Sequence, residues 1–207
     1  MDSTATIAAC IQAACVAVGE PEPPLELAKH VIGLGLQEAL QLCAPQCPVS
    51  KYPALASHYK HNFLQQDMHL RLFAGVRDML ENFAAQGYVL TVATGKSRAG
   101  LDRVLVQSDL GSLFAATRTA DQTEPKPSPK MVLEIMAQLA VTPQRCLVIG
   151  DTTHDILMAQ RAGVAGFAVT QGAHDIHKLS QSNPIAITRH ITDLPNWLAK
   201  QNTGAAH

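Results

Sequence analysis

Residues 147–155, Leu-Val-Ile-Gly-Asp-Thr-Thr-His-Asp, decide the fold class of this chain. The first three are apolar and favour a buried β-strand, Gly150 marks a sharp turn, and a helical pattern begins at Asp155. Asp151 and Asp155 therefore follow the carboxyl end of a strand, which is the edge of a parallel sheet where ligands bind. Hard oxygen ligands at that edge suit Mg²⁺ together with phosphate. In the alternative interpretation, both carboxylates merely cap the helix.

Helices and short apolar strands alternate on both sides of this stretch from residue 73 onward. Such alternation predicts right-handed crossovers and a parallel sheet with helices on both faces, an α/β fold with a Rossmann-like core. The predicted strands are residues 88–93, 113–117, 146–149, 165–169 and 186–188. The predicted helices of this part are residues 76–83, 97–107, 128–140, 155–162, 175–181 and 194–200.

The part of the chain before residue 73 has a different pattern. A helix is predicted from about residue 4 to residue 18, and further helices over 25–31, 36–43 and 53–66 are separated by Gly or Pro. Because no convincing strand occurs here, we expect a helical cap inserted into the core. The predicted domains are a helix leading from core to cap that starts in 1–14, the cap at 15–72, and the Rossmann-like core at 73–207.

Composition and charge exclude several classes of function. Sixteen Lys and Arg against seventeen Asp and Glu give a net charge of -1 without a basic face, so no nucleic acid partner is expected. No secretory leader and no run of about 18 apolar residues occurs, so we expect no membrane partner and a cytoplasmic location. Five cysteines favour reduced thiols over a disulfide framework. We expect a monomer or a homodimer.

A second loop with polar groups follows the predicted strand that ends at Ala93. The Thr94 hydroxyl and the backbone N–H groups from Gly95 onward face the start of a helix, where they can hold a phosphate oxygen. Residues 95–97, Gly-Lys-Ser, match the end of a nucleotide-binding loop, but the first glycine of that pattern falls at Leu90, which excludes it. Alternatively, Thr94 is a plain helix-capping hydroxyl.

A third loop places Lys126 between Pro125 and Pro127. The flanking prolines restrict the backbone, so the ammonium group is held with less disorder than on an ordinary surface lysine. A fixed cation is what a phosphoryl group needs as negative charge develops during transfer. Lys130 is a competing cation inside the helix predicted to begin at Ser128. Alternatively, Lys126 is an ordinary solvated loop residue.

A hydroxyl, a lysine and paired acids follow three predicted strands in that order. In this respect the chain resembles the haloacid dehalogenase superfamily of phosphohydrolases. The pattern is most similar to its phosphoglycolate phosphatase and β-phosphoglucomutase-like branch. Residues 92–96 resemble the second motif of the family, residues 126–127 the third, and residues 150–155 the fourth. This resemblance implies Mg²⁺-dependent hydrolysis of a small phosphorylated metabolite through an aspartyl-phosphate.

The resemblance also implies roles for individual residues. Thr94 and Gly95 would bind the transferring phosphoryl group, and Lys126 would stabilise its charge and act with Thr94 in catalysis. Asp151 and Asp155 would form the metal site, with Asp151 binding Mg²⁺ and Asp155 supporting it.

The first motif of the family, D-x-D-G-T-L, is absent from this chain. Residues 1–3, Met-Asp-Ser, resemble the residues that directly follow it, and no D-x-D occurs in the sequence. The chain therefore supplies no nucleophile and no general acid or base of the family type. The central strand of the sheet is expected to be missing too, which leaves its two neighbours without a shared partner. We expect an N-terminally truncated, inactive phosphatase, or alternatively a non-catalytic pseudoenzyme that binds phosphate and Mg²⁺.

Weaker hypotheses concern the remaining polar residues. A zinc site from Cys43, Cys47, His58 and His61 is disfavoured because the cysteines lack C-x₂-C spacing. His154 is expected to be exposed, in contact with substrate or solvent. Some basic residues before the core could meet an anionic leaving group, although most are expected at the solvated surface: Lys29, His30, Lys60, His61 and Arg71. The helical insertion argues against a response-regulator module.

Overall fold

Short parallel strands alternate with helices in the computed structural model, which describes residues 2–67 and 71–204. The strands are β1 (Leu90–Thr94), β2 (Phe114–Thr119), β3 (Leu147–Gly150), β4 (Ala165–Val169) and β5 (Ala186–Thr188). The helices are α1 (Thr4–Ala17), α2 (Leu25–His30), α3 (Leu36–Cys43), α4 (Tyr52–Asp67), α5 (Val76–Ala85), α6 (Arg98–Ser108), α7 (Lys130–Leu139), α8 (Thr153–Arg161), α9 (Ile176–Gln181) and α10 (Leu194–Gly204). The predicted α/β fold class is confirmed.

The strands form two separate parallel sheets. One sheet contains β1 and β2, and the other contains β3, β4 and β5 in that order. Each of β1 and β3 has a single paired neighbour among the described strands, so each has a free edge. Because those edges carry backbone N–H and C=O groups without a ladder partner, they can accept a further strand. This division of the sheet is what a missing central strand predicts.

Two apolar clusters join the sheets side by side. On one face, Leu90 of β1 packs in the same cluster as Leu147 of β3 and the fully buried Phe167 of β4. On the other face, Ala93 of β1 and Val148 of β3 pack in one cluster with α7 residues such as Met131. Side chains of β1 and β3 thus share a core on both faces, although their backbones are not paired.

The helices before residue 73 have an apolar core of their own. Helix α1 packs against α4, α2 and α3, and the fully buried Ile11, Leu40 and Leu55 belong to their shared cluster. No described helix has the length and apolarity that a membrane span requires. The division into a cap at 15–72 and a core at 73–207 stays a prediction, and residues 68–70 lie outside the described part.

Strand β1 begins two residues later than predicted. The turn that follows α5 includes Gly87, which takes a φ of 84°, and Tyr88, whose N–H donates to the Phe83 carbonyl. Tyr88 and Val89 are consequently exposed at 42% and 60% and do not enter the sheet. The apolar run in the sequence therefore includes two residues of a helix C-terminal turn.

Candidate active site

A cavity of about 760 Å³ lies where the predicted polar loops meet. Its lining includes every site residue singled out from the sequence: Thr94, Gly95, Lys126, Asp151 and Asp155. These residues follow β1, β2 and β3 in turn, so the carboxyl ends of the parallel strands converge as expected. The structure brings all of them together; their chemical roles stay predictions.

Lys126 is buried and forms an ion pair at the base of the cavity. Its side chain reaches Asp155, with Nζ 2.5 Å from Oδ1, and the residue is 7% exposed. The solvated-loop alternative for Lys126 is therefore wrong. Lys130 instead pairs with Glu124 at 3.3 Å on the exposed side of the loop and is not among the residues that line the cavity.

Asp155 combines this ion pair with a helix cap. Thr152 donates both its N–H and its hydroxyl to Oδ2 of Asp155, at 3.1 and 2.6 Å, and the Thr152 hydroxyl accepts from the Asp155 N–H. Burial by itself raises the pKa of Asp155, but the Lys126 ammonium and the Thr152 donors outweigh it and lower that pKa. The capping interpretation thus holds for Asp155. Since both its oxygens already accept hydrogen bonds, Asp155 fits a supporting role at a metal better than direct coordination.

Asp151 does not cap the helix, and it lines the cavity. Its Oδ2 accepts the Ala173 N–H at 2.8 Å, and its backbone carbonyl accepts the His174 N–H at 3.1 Å. Burial and the nearby Asp155 charge raise the pKa of Asp151. A carboxylate that lines a cavity fits Mg²⁺, which takes one or two carboxylates and completes its shell with phosphate and water.

The Thr94 hydroxyl is not the cap of the helix that follows it. Ser97 is the N-cap of α6, and its side chain accepts the Gly100 N–H at 3.3 Å. Thr94 instead accepts the Lys96 N–H through Oγ1 at 3.2 Å, and its own hydroxyl proton can be donated into the cavity. The capping interpretation of Thr94 is therefore wrong.

Two glycines let the carboxylates sit close to the backbone. A Cβ atom at Gly150 would lie 2.2 Å from Cβ of Asp155, and one at Gly172 would lie 1.8 Å from Oδ2 of Asp151. Heavy atoms cannot approach that closely, so any other residue at these positions would displace the carboxylate. The glycine that ends β3 is thus part of the site and not only a turn residue.

A cluster of three imidazoles beside the site could not be read from the sequence. His154 is buried at 8% exposure and contacts His30 and His174 through ring centroids 5.4 and 5.3 Å away, so its expected exposure was wrong. Burial lowers the pKa of His174 to about 4 and lowers that of His30 as well. Both rings are therefore neutral at neutral pH.

The disfavoured zinc site is not formed. In the described part of the chain, the histidines just named are the one group of three or more His, Cys, Asp or Glu residues whose ligand atoms come together. Cys43 and Cys47 are buried, whereas His58 and His61 are exposed on α4.

Of the basic residues considered for contact with a leaving group, Lys60 lines the cavity, and Lys29 pairs with Glu26 at 3.6 Å. Lys96, which the sequence did not single out, also lines the cavity, with Nζ 4.6 Å from the centre of the Phe63 ring.

Comparison with known proteins identifies the family. The family model described as haloacid dehalogenase-like hydrolase matches residues 1–169. The chain belongs to this family. It is 33% identical over 184 residues to the probable phosphatase IndB of Dickeya dadantii, covering 86% of this chain and 76% of that protein. It is 29% identical over 197 residues to the phosphoglycolate phosphatase of Aliivibrio fischeri, covering 91% and 87%.

Solved structures of haloacid dehalogenase-like hydrolases and related proteins share the fold. The crystal structure of a hydrolase from Pseudomonas syringae superposes with a TM-score of 0.87 at 21% identity, covering 96% of this chain and 93% of that one. The predicted resemblance to the phosphoglycolate phosphatase and β-phosphoglucomutase-like branch of the family is confirmed.

The close approach of Gly150 to Asp155 predicts a strong effect of a single methyl group. Gly150→Ala should lower the free energy of unfolding by about 1–3 kcal/mol, because the new Cβ overpacks the site and displaces Asp155 from Lys126. Urea unfolding of the purified protein measures this. The control is Gly111→Ala, whose Cβ would lie 3.8 Å from its nearest neighbour and should change stability by less than about 0.5 kcal/mol. Equal effects of the two substitutions would contradict the packing argument.

Proposed function

We propose that this chain supplies the phosphate- and metal-binding part of a Mg²⁺-dependent phosphomonoester hydrolase, which acts on a small phosphorylated metabolite when the nucleophile is present. The observation that carries the proposal is the buried Lys126–Asp155 pair beside the Asp151 carboxylate, which lines the same cavity at the converging ends of β1 and β3. Such a site offers one fixed cation and one hard anionic ligand to a phosphate group. The names of two relatives, a probable phosphatase and a phosphoglycolate phosphatase, support the same reaction class.

Each site residue would act on the phosphate in a distinct way. Asp151 would hold Mg²⁺ through its carboxylate, and the ion would supply charge stabilisation to the phosphoryl oxygens. Asp155 holds the Lys126 ammonium in place, so that it can neutralise charge without reorganising. Thr94 would donate its hydroxyl to a phosphoryl oxygen, with the Gly95 N–H beside it.

The nucleophile must come from a further carboxylate. The carboxylates lining the cavity in the described residues are Asp151 and Asp155, and Asp155 is held by Lys126 and Thr152. We infer that the active protein has an additional strand between β1 and β3, which carries the nucleophilic aspartate and the general acid and base. The free edges of β1 and β3 support this inference, and apolar lining residues such as Val92 suit a buried strand.

The substrate class follows from the basic residues of the cavity. Lys60 of α4 and Lys96 of the loop after β1 both line it and can meet an anionic leaving group. A phosphorylated organic acid, as in the phosphoglycolate phosphatase of Aliivibrio fischeri, fits this charge. We further propose that the protein works in the cytoplasm as a monomer or homodimer, without a nucleic acid or membrane partner.

A second candidate is a pseudoenzyme that binds phosphate and Mg²⁺ without turnover. The observation that favours it is that Asp155 is engaged by Lys126, while Asp151 is the one carboxylate suited to hold the metal. The proposed hydrolase and this candidate share a binding site and differ in the presence of the inferred strand.

Metal-dependent phosphate binding tests the site without requiring turnover. Inorganic phosphate should bind the 207-residue chain more tightly with Mg²⁺ than with EDTA, as measured by isothermal titration calorimetry. Asp151→Asn should abolish this dependence because it removes the anionic metal ligand. Asp109→Asn, at an exposed left-handed position that Asn tolerates, should bind like the unmodified chain. Mg²⁺ dependence that survives in Asp151→Asn would show that the metal ligand lies elsewhere.

Lys126 should contribute to turnover and Lys130 should not. In a protein that contains the inferred strand, Lys126→Ala and the longer, uncharged Lys126→Met should each lower kcat by at least about a hundredfold, since a preorganised charge stabiliser is lost. The control Lys130→Ala should keep normal kcat because Lys130 is exposed and pairs with Glu124. Hydrolysis of an aryl phosphate measures kcat, and thermal unfolding confirms that each variant is folded. A loss of tenfold or less in both Lys126 variants would assign the role to another cation.

A further inference from the structure

A carbonyl oxygen at the C-terminal end of α2 accepts two hydrogen bonds from the core. The carbonyl of His30, the last residue of α2, lies 2.9 Å from Nε2 of His154 and 3.0 Å from Nε2 of His174. The last carbonyls of a helix have no partner within the helix and need one elsewhere. Here two imidazoles from the core meet this need, although His30 is 124 and 144 residues away from them in the chain.

The direction of these hydrogen bonds follows from the neighbouring backbone. Thr153 donates its N–H to Nδ1 of His174 at 3.0 Å, so Nδ1 carries no proton. The proton of this neutral ring is therefore on Nε2, which donates it to the His30 carbonyl. Since a carbonyl oxygen can only accept, Nε2 of His154 also donates. Both lone pairs of the oxygen are thus occupied.

The loop that follows α2, residues 31–35, covers the active site and is called the roof loop. A Cβ atom on Gly95 would lie 2.8 Å from the carbonyl oxygens of both Gly33 and Leu34. A Cβ atom on Gly35 would lie 3.1 Å from the Pro125 ring, and one on Gly33 would lie 3.2 Å from Oγ1 of Thr152. The roof loop therefore contacts all three loops that carry the predicted site residues.

We propose that His154 and His174 are positioning residues that hold the roof loop over the active site, by donating two hydrogen bonds to the His30 carbonyl. The consequence for catalysis rests on the proposed function, whereas the attachment itself does not. The two hydrogen bonds act at the residue directly before the roof loop, so they fix the point from which the loop leaves α2. Loss of either bond leaves the carbonyl partly unsatisfied and loosens the loop.

The alternative is a transition-metal site, since the ligand atoms of the three imidazoles lie within 4.8 Å of one another and Nδ1 of His30 is buried without a partner among the described residues. A metal on Nε2 of His174 would require a proton on Nδ1, which would then face the Thr153 N–H donor. Tetrahedral zinc with Zn–N bonds of about 2.0–2.1 Å also needs nitrogens about 3.3 Å apart. The geometry therefore favours hydrogen bonding over ligation.

Hydrogen exchange tests the attachment in the full chain without any activity measurement. His154→Leu and His174→Leu should each speed amide exchange in the roof loop by about tenfold or more, while the amides of β4 report that global stability is retained. His154→Gln keeps an N–H donor near the Nε2 position and should restore slow exchange. His177→Ala, at an exposed histidine of α9, should exchange like the unmodified protein.

Three outcomes would overturn the proposal. The first is roof-loop exchange in both Leu variants that equals that of His177→Ala. The second is acceleration in β4 to the same degree, which would mark a general loss of stability. The third is one equivalent of Zn²⁺ bound in calorimetry and lost in His174→Leu, which would make the cluster a metal site. Faster roof-loop exchange in a protein that shows no Mg²⁺-dependent binding of inorganic phosphate would support the attachment and refute only the proposed function.

Discussion

The ion pair between Lys126 and Asp155 is the interaction on which the rest of the site depends. Both groups are buried, so removing either partner leaves an uncompensated charge at a cost of about 3–5 kcal/mol. The pair joins the loop after β2 to the start of α8, and the same carboxylate caps that helix through Thr152. The Asp155 side chain therefore holds Lys126, the proposed catalytic cation, caps α8 and raises the pKa of Asp151.

The divided sheet connects this arrangement to function. β1 and β3 carry the polar loops on either side of the cavity, their side chains share apolar clusters, and their backbones have free edges. A strand placed between them would complete the sheet and bring its own carboxyl end to the cavity, next to Lys126 and Asp151. In the proposed function, phosphate and metal binding would belong to the residues described here, whereas the covalent step would depend on the proposed additional strand.

The sequence predicts the structural features that depend on local residue pattern. It predicts much less of the contacts that form when the helical part packs against the core. The convergence of Thr94, Lys126 and Asp151 was predictable, because the carboxyl ends of parallel strands share one edge of a sheet. The sequence did not predict that Ser97, and not Thr94, caps α6, because either hydroxyl can take that position. The contact of His30 with two imidazoles arises only when the helical part docks on the core, and no spacing in the sequence indicates it.

The most direct measurement compares hydrolysis of a generic aryl phosphate, with Mg²⁺, by the 207-residue chain and by a version extended through the codons directly upstream of Met1. If the extension encodes an apolar strand that ends in D-x-D, we predict activity in the extended protein and none in the shorter chain. Activity in both proteins, abolished by Asp151→Asn, would contradict the account, because the nucleophile would then be among the residues already described.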